Sequence, residues 1–200
     1  MTPSRTDPAL ILLIAGSARQ GALSVRLRDA AAAALTQAGA QTRSLDLHAL
    51  QLPIYDADLE TRAGVPAGAL QMRDAVAQAD GILFVTPEYN GFPTPLALNA
   101  WDWLSRVPAA GEGRAGLATT TNKPLALLSS SPGPMGGLRA LGLMRQFLGG
   151  VFQMLVLPQQ LALPRANEAF DENGSLKDAR MQQTLQQMAA GLVALVSQRR

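Results

Sequence analysis

The chain has 200 residues, 48% hydrophobic and 16% charged, and its 17 basic against 15 acidic side chains leave a formal charge of +2. That length and balance suit one globular domain and disfavour wholesale disorder. With no cysteine, disulfides, thiolate nucleophiles and cysteine-ligated metal centres are excluded, and one histidine, His48, leaves little for a Ser-His-Asp triad or a histidine-rich metal site. Any redox chemistry must be borrowed from a cofactor. The surplus of two charges offers no basic footprint for nucleic acid. Typical soluble chains carry roughly 25% charged residues, so the low share here predicts that another subunit covers part of the surface.

In chain order, Met1 to Pro8 reads as a polar, frayed tail and residues 9–200 as a single domain. Arg5 and the apolar run Leu10 to Ile14 imitate a secretory signal, but the run is too short and its removal would delete the first strand. No stretch approaches the ~20 apolar residues of a membrane span, so a cytoplasmic protein with no membrane partner is expected. Nearly continuous apolar runs at Leu10 to Ala15, Gly81 to Thr86, Pro124 to Ser129 and Phe152 to Leu157 predict strands buried on both faces, with Gln41 to Asp46 a weaker candidate. Between them, Leu23, Leu27, Ala30, Ala34 and Ala38, then Leu138, Leu141, Met144 and Leu148, carry helical spacing. A final helix from about Leu176 to Ser197 presents Met181, Leu185, Met188, Leu192 and Leu195 on one face. Leu50 to Val65 reads as a long irregular connection, and Pro108 to Asn122 as an exposed loop or lid. The alternation predicts a doubly wound α/β domain: a five-stranded parallel sheet of order 2-1-3-4-5, helices on both faces, and a switch point between the first and third strands.

Ligands bind such sheets beyond the carboxyl ends of the strands, where three loops stand out. After the first strand, Gly16 to Ser24 offers the hydroxyls of Ser17 and Ser24, the Arg19 guanidinium and the free amides of a helix start, which suit a terminal monophosphate or, equally, an ordinary turn and helix cap. It is neither a Walker loop nor a dinucleotide fingerprint. After the third strand, Pro87 to Pro95 is stiffened by three prolines and carries Glu88, Tyr89 and Asn90, as a planar ring would need for stacking and edge hydrogen bonds. After the fourth, Ser129 to Gly137 holds glycines that allow close approach of backbone to ligand. Each loop alone is more readily a structural turn; all three converge on one rim.

These loops, in this order, resemble the NADPH-dependent FMN reductase family of flavodoxin-like quinone, chromate and azo-dye reductases. The likeness is carried by Gly16-Ser17-Ala18-Arg19, by Pro87-Glu88-Tyr89-Asn90 with Pro95-Leu96 and Asn99-Ala100-Trp101-Asp102-Trp103, and by Ser131-Pro132-Gly133 with Gly136-Gly137-Leu138-Arg139. The resemblance implies that Ser17, Arg19 and Ser24, with Ala22 and Leu23, surround the FMN phosphate. It further implies that Pro87, Glu88, Tyr89, Asn90 and Gly91 run along the isoalloxazine, and that Ser131 and Gly133 lie near its other edge. It implies NADPH or NADH as co-substrate, a small-molecule acceptor, and a homodimer or homotetramer with the flavin close to the subunit interface. Ala22 stands where a phosphate-binding serine is common and Ser24 where asparagine is common, which implies weaker FMN binding.

The flavin carries the chemistry in such an enzyme, so no acid or base is nominated as catalytic and no metal is expected. Trp101 and Trp103 read as core or interface, Tyr89 as facing ligand or partner, and Glu88 and Asp102 as structural carboxylates. Asp56, Asp58 and Glu60 read as a solvated loop rather than a metal cluster, and His48 as a surface residue. The alternative function is a flavodoxin-like electron carrier not reduced by pyridine nucleotide. A hydrolase built on Ser130 or Ser131 fares poorly, because no G-x-S-x-G elbow is present.

Overall fold

The computed structural model describes residues 7–108 and 117–200. Five strands, β1 (Leu10–Ala15), β2 (Gln41–Asp46), β3 (Gly81–Pro87), β4 (Pro124–Ser130) and β5 (Leu155–Leu163), form one parallel sheet in the order β2-β1-β3-β4-β5. The helices are α1 (Leu23–Gln37), α2 (Ala57–Ala63), α3 (Ala67–Gln78), α4 (Pro95–Arg106), α5 (Leu138–Gly150) and α6 (Ala179–Ser197).

Strand residues alternate between two cores because successive side chains leave opposite faces of a pleated strand. Ile11, Leu13, Leu83, Val85, Ala126 and Leu128 pack with α1 and α6. Their neighbours Leu12, Ile14, Ile82, Phe84, Leu125 and Leu127 pack with α3, α4 and α5. Burial on both faces is why the central strands read as unbroken apolar runs. β2 is an edge strand with only partly buried or exposed residues, which accounts for its polar sequence.

Two element boundaries depart from expectation. The fifth strand begins at Leu155 rather than Phe152 and continues through Pro158 to Leu163. As an edge strand it tolerates a proline, and its pairing with β4 shifts register between Leu125 and Leu127. Phe152 instead fills the core, edge-on to Trp101 at 5.1 Å and Phe147 at 5.2 Å. The final helix starts at Ala179, where the Asp178 carboxylate accepts from the amides of Arg180 and Met181 at 2.9 and 3.0 Å. Leu176 pairs with Phe170 before it.

The connection expected to be irregular over Leu50 to Val65 contains α2, capped by the Asp56 carboxylate at the Asp58 amide (2.8 Å). Its first half is tied to α4: Asn99 accepts from the Tyr55 amide and donates to the Pro53 carbonyl, both at 2.8 Å, and Trp103 Nε1 donates to the same carbonyl at 2.7 Å. The expected tail falls outside the described residues as far as residue 6, and the expected lid over 109–116. Among the described residues, no helix is long and apolar enough to cross a membrane.

Candidate cofactor cleft

The carboxyl ends of β1, β3 and β4 open into a cleft of about 430 Å³. Ser17, Arg19, Ala22, Leu23 and Ser24 form one side, Pro87, Glu88 and Tyr89 a second, Ser130, Ser131 and Pro132 a third, and Asn167 closes it from the segment after β5. The three loops named from sequence therefore meet at the switch point. Asn90, Gly91 and Gly133 are the expected residues that do not line it. Asn90 and Gly91, both at positive φ (53° and 85°), form the tip of a tight turn closed by reciprocal 2.9 Å hydrogen bonds between Tyr89 and Phe92. The amide of Gly133 is spent on Ser131 Oγ (3.1 Å), and its carbonyl accepts from Gly136 and Arg165.

The side made by the first loop is built for an anion. Gly16 lets this loop pass close beneath the second: an added Cβ would lie 3.3 Å from both Ala97 and Pro87, and the Thr94 hydroxyl holds the Gly16 carbonyl. Ser17 Oγ accepts from the Arg19 amide at 3.2 Å, which leaves its proton free to donate. α1 then starts at Leu23, with Ala22 at the capping position, no side-chain cap and no acidic residue in its first turn. Neither the Leu23 nor the Ser24 amide has an acceptor among the described residues. Ser24 is 1% exposed, and its hydroxyl has no partner among the described residues. Open amides, the positive end of a helix dipole and an exposed guanidinium together favour a dianion.

The opposite wall is rigid and internally neutral. Glu88 turns its carboxylate away from solvent, its side chain being 8% exposed, and pairs with Arg139 at 2.6 Å. Its other oxygen accepts from the Ala140 amide at 3.2 Å, in the first turn of α5. Burial alone would raise this carboxyl, but the Arg139 bond, the Ala140 amide and the Arg139 charge outweigh it and hold the pKa below the ordinary value. Glu88 is thus a fixed anion, not an acid for substrate. Gly136 and Gly137 make the last turn before α5 possible, with φ of 61° and 82°; a Cβ at Gly136 would come within 2.7 Å of the backbone of Ala162 and Leu163.

The fourth wall was not foreseen. Ser131 donates to the Leu163 carbonyl, while Ala166 donates to Ser131 and Arg165 to Gly133, at 3.0 to 3.3 Å, stitching the segment after β5 to the Ser131 loop. Asn167 follows directly on this seam and carries no sequence motif. Ser130, the final residue of β4, falls within the third loop read from sequence, where its side chain has no role other than that of a disfavoured hydrolase nucleophile. Other residues behave as structural groups. Trp101 and Trp103 are fully buried, and Asp102 lies on α4 outside the cleft. Glu60 pairs with Arg106 at 2.9 Å, Asp56 caps α2, and His48 is exposed beyond β2.

A flavodoxin-like α/β sheet with an anion-ready helix start and a stiff loop wall at its switch point defines the class. The chain belongs to the NADPH-dependent FMN reductase family, whose profile matches residues 9–168. It is 30% identical over 188 residues to an NAD(P)H-dependent FMN reductase of Pseudomonas aeruginosa, covering 94% of this chain and 95% of that protein. It is 38% identical over 135 residues to a quinone reductase of Escherichia coli (strain K12), covering 58% of this chain and 67% of that one. Among solved structures, the flavoenzyme NAD(P)H:(acceptor) oxidoreductase FerB of Paracoccus denitrificans superposes with a TM-score of 0.78 at 24% identity, over 95% of this chain and 98% of that chain. The cleft fits the family's cofactor: the unpartnered Ser24 hydroxyl and uncapped α1 amides suit its phosphate, and the wall from Pro87 to Tyr89 suits a flat ring.

Proposed function

We propose that this protein is an FMN-dependent NAD(P)H oxidoreductase that reduces quinones or similar small acceptors, such as chromate, azo compounds or free flavin. The observation that carries this reading is the open N-terminus of α1, with Arg19 and the orphaned Ser24 hydroxyl, facing the Pro87 to Tyr89 wall across one cleft. Bound there, FMN supplies two-electron chemistry: hydride acceptance from NAD(P)H and electron delivery to the acceptor.

The chain's own groups bind and position. The Leu23 and Ser24 amides, the Ser17 and Ser24 hydroxyls and the Arg19 guanidinium hold the phosphate. Pro87, Glu88 and Tyr89 contribute a stiff wall for the ring, with Asn90 and Gly91 shaping the turn that carries Tyr89 and Gly133 shaping the loop opposite. Tyr89 is half exposed at the mouth, where a nicotinamide or quinone ring would arrive. No proton donor is required of the protein, and the ionised Glu88 supplies none.

Residues 9–200 act as one FMN-binding domain in this reading, in the cytoplasm, where NAD(P)H is made and spent. Tyr89 and Phe92 on the turn after β3, and Met135, Leu138 and Val151 at the two ends of α5, have exposed side chains. Phe92 and Val151 line one apolar groove with Leu143 and Phe147 of α5. Exposed apolar side chains that cluster mark a protein contact, and in this reading a second copy of the chain covers them in a homodimer or homotetramer beside the cleft. The rival reading, an electron carrier that pyridine nucleotide does not reduce, is separated by mixing FMN-loaded protein with NADPH under argon. Rapid bleaching of the yellow flavin band is expected; a band that persists over minutes overturns the enzyme reading.

A further inference from the structure

Neither the anion corner nor the ring wall accounts for Ser130. It is 2% exposed, it lines the cleft, and its hydroxyl has no hydrogen-bond partner among the described residues. Its neighbour Ser129 is satisfied, donating to the Gly136 carbonyl at 2.8 Å on the α5 side of the sheet. Alternation along β4 therefore sends Ser130 to the other side, the side on which Ala126 and Leu128 pack with α1. In the sheet, Ser130 is the register partner of Pro87 on β3. It thus stands beside the ring wall and faces the same side as Ser24 in the first turn of α1, between the two ends of the ligand proposed above.

What joins a flavin ring to its phosphate is a chain of hydroxylated carbons. Each hydroxyl both donates and accepts, as a serine hydroxyl does. A buried hydroxyl without a partner is destabilising, so its retention in a cleft points to a ligand that satisfies it. We propose that Ser130 is a ligand-binding residue whose hydroxyl hydrogen-bonds the ribityl chain of FMN. This rests on the flavin reading of the cleft and adds to it a polyol contact between phosphate and ring.

The test is a titration of the unloaded parent and of Ser130→Ala with FMN, with riboflavin, which lacks the phosphate, and with lumiflavin, which keeps the ring but lacks the ribityl chain. FMN and riboflavin are expected to bind the variant about three- to tenfold more weakly, and lumiflavin equally well. The unloaded variant is expected to melt at or above the parent's temperature, because an unsatisfied hydroxyl has been removed. Unchanged riboflavin affinity overturns the proposal, as does an equal loss for lumiflavin, which would place the contact on the ring. A lower melting temperature with all three ligands weakened overturns it too, by making Ser130 a packing residue. A parent that takes up none of the three overturns the flavin reading itself, and this contact with it.

Discussion

At the start of α5, a carboxylate from elsewhere in the chain has already taken the place an anion would occupy: Glu88 accepts from the Ala140 amide and pairs with Arg139. At the start of α1, Ala22 occupies the capping position, contributes no side-chain acceptor for the free amides, and is followed by no acidic residue in the first turn. The two helices carry the same dipole to the same rim. What differs is that one N-terminus is closed within the protein and the other is left open. An N-terminal cap is worth about 0.5 to 2 kcal/mol, so α1 forgoes stability that a bound dianion can recover. Closing α5 also removes a competing anion site, in keeping with the proposal that a phosphate is held by Arg19 and the first turn of α1.

Making α1 resemble α5 should break the contrast outright. In Ala22→Asp, the carboxylate would cap α1 from a backbone already in a cap-compatible conformation (φ −59°, ψ 141°). The unloaded chain is expected to gain about 0.5 to 2 kcal/mol in denaturant titrations. FMN affinity is expected to fall by about two to three decades, since like charges roughly 4 Å apart near a protein surface repel by about 4 kcal/mol. Stability and affinity moving in the same direction would show that the open helix start is not the anion site.

Arg19→Ala sharpens the contrast without adding charge. Loss of a charge-assisted phosphate contact costs about 1.5 to 3 kcal/mol, or about one to two decades in FMN affinity. Riboflavin, with no phosphate, should bind the variant and the parent alike in fluorescence titrations. An equal loss for both ligands would move Arg19 from the phosphate to the ring.

The same contrast explains what was legible before the structure. Glycine, serine and arginine after an apolar strand, and a proline-stiffened segment after another, are local signals, and both segments line the cleft. The sheet order followed from the alternation of buried strands with helices, because burial on both faces writes itself into β1, β3 and β4 as unbroken apolar runs. Edge elements leave weaker marks. β5 pairs on one side only and can carry Pro158, Gln159 and Gln160 exposed, so it read as shorter than it is. Asn167 reaches the cleft through backbone bonds between residues more than 30 positions apart, such as Ala166 to Ser131, and no residue type announces that. The roles of Glu88 and Ser130 were hidden for a related reason. A carboxylate closes a distant helix, and a hydroxyl is orphaned, only once the sheet has set its register.

The smallest expected effect on binding comes from opening α5, and here acidity is the lever. Glu88→Gln keeps an oxygen that can accept from the Ala140 amide but removes the charge that pairs with Arg139. Arg139 is 66% exposed and can be solvated, so the loss at neutral pH should be about 1 kcal/mol or less. FMN affinity should change little, because the proposed phosphate site lies at α1, not α5. The pH dependence is the more telling measurement. Folding lowers the Glu88 pKa below its ordinary value of 4.5, so its contribution is fully present above that value. It is lost as the pH falls through the lower folded value, where the native carboxylate at last takes up a proton. Thermal melts of the unloaded parent should therefore decline more steeply below about pH 4.5 than those of Glu88→Gln. Parallel curves would mean that the charge on Glu88 does not close α5, and that the neutral wall opposite Arg19 is held by backbone geometry alone.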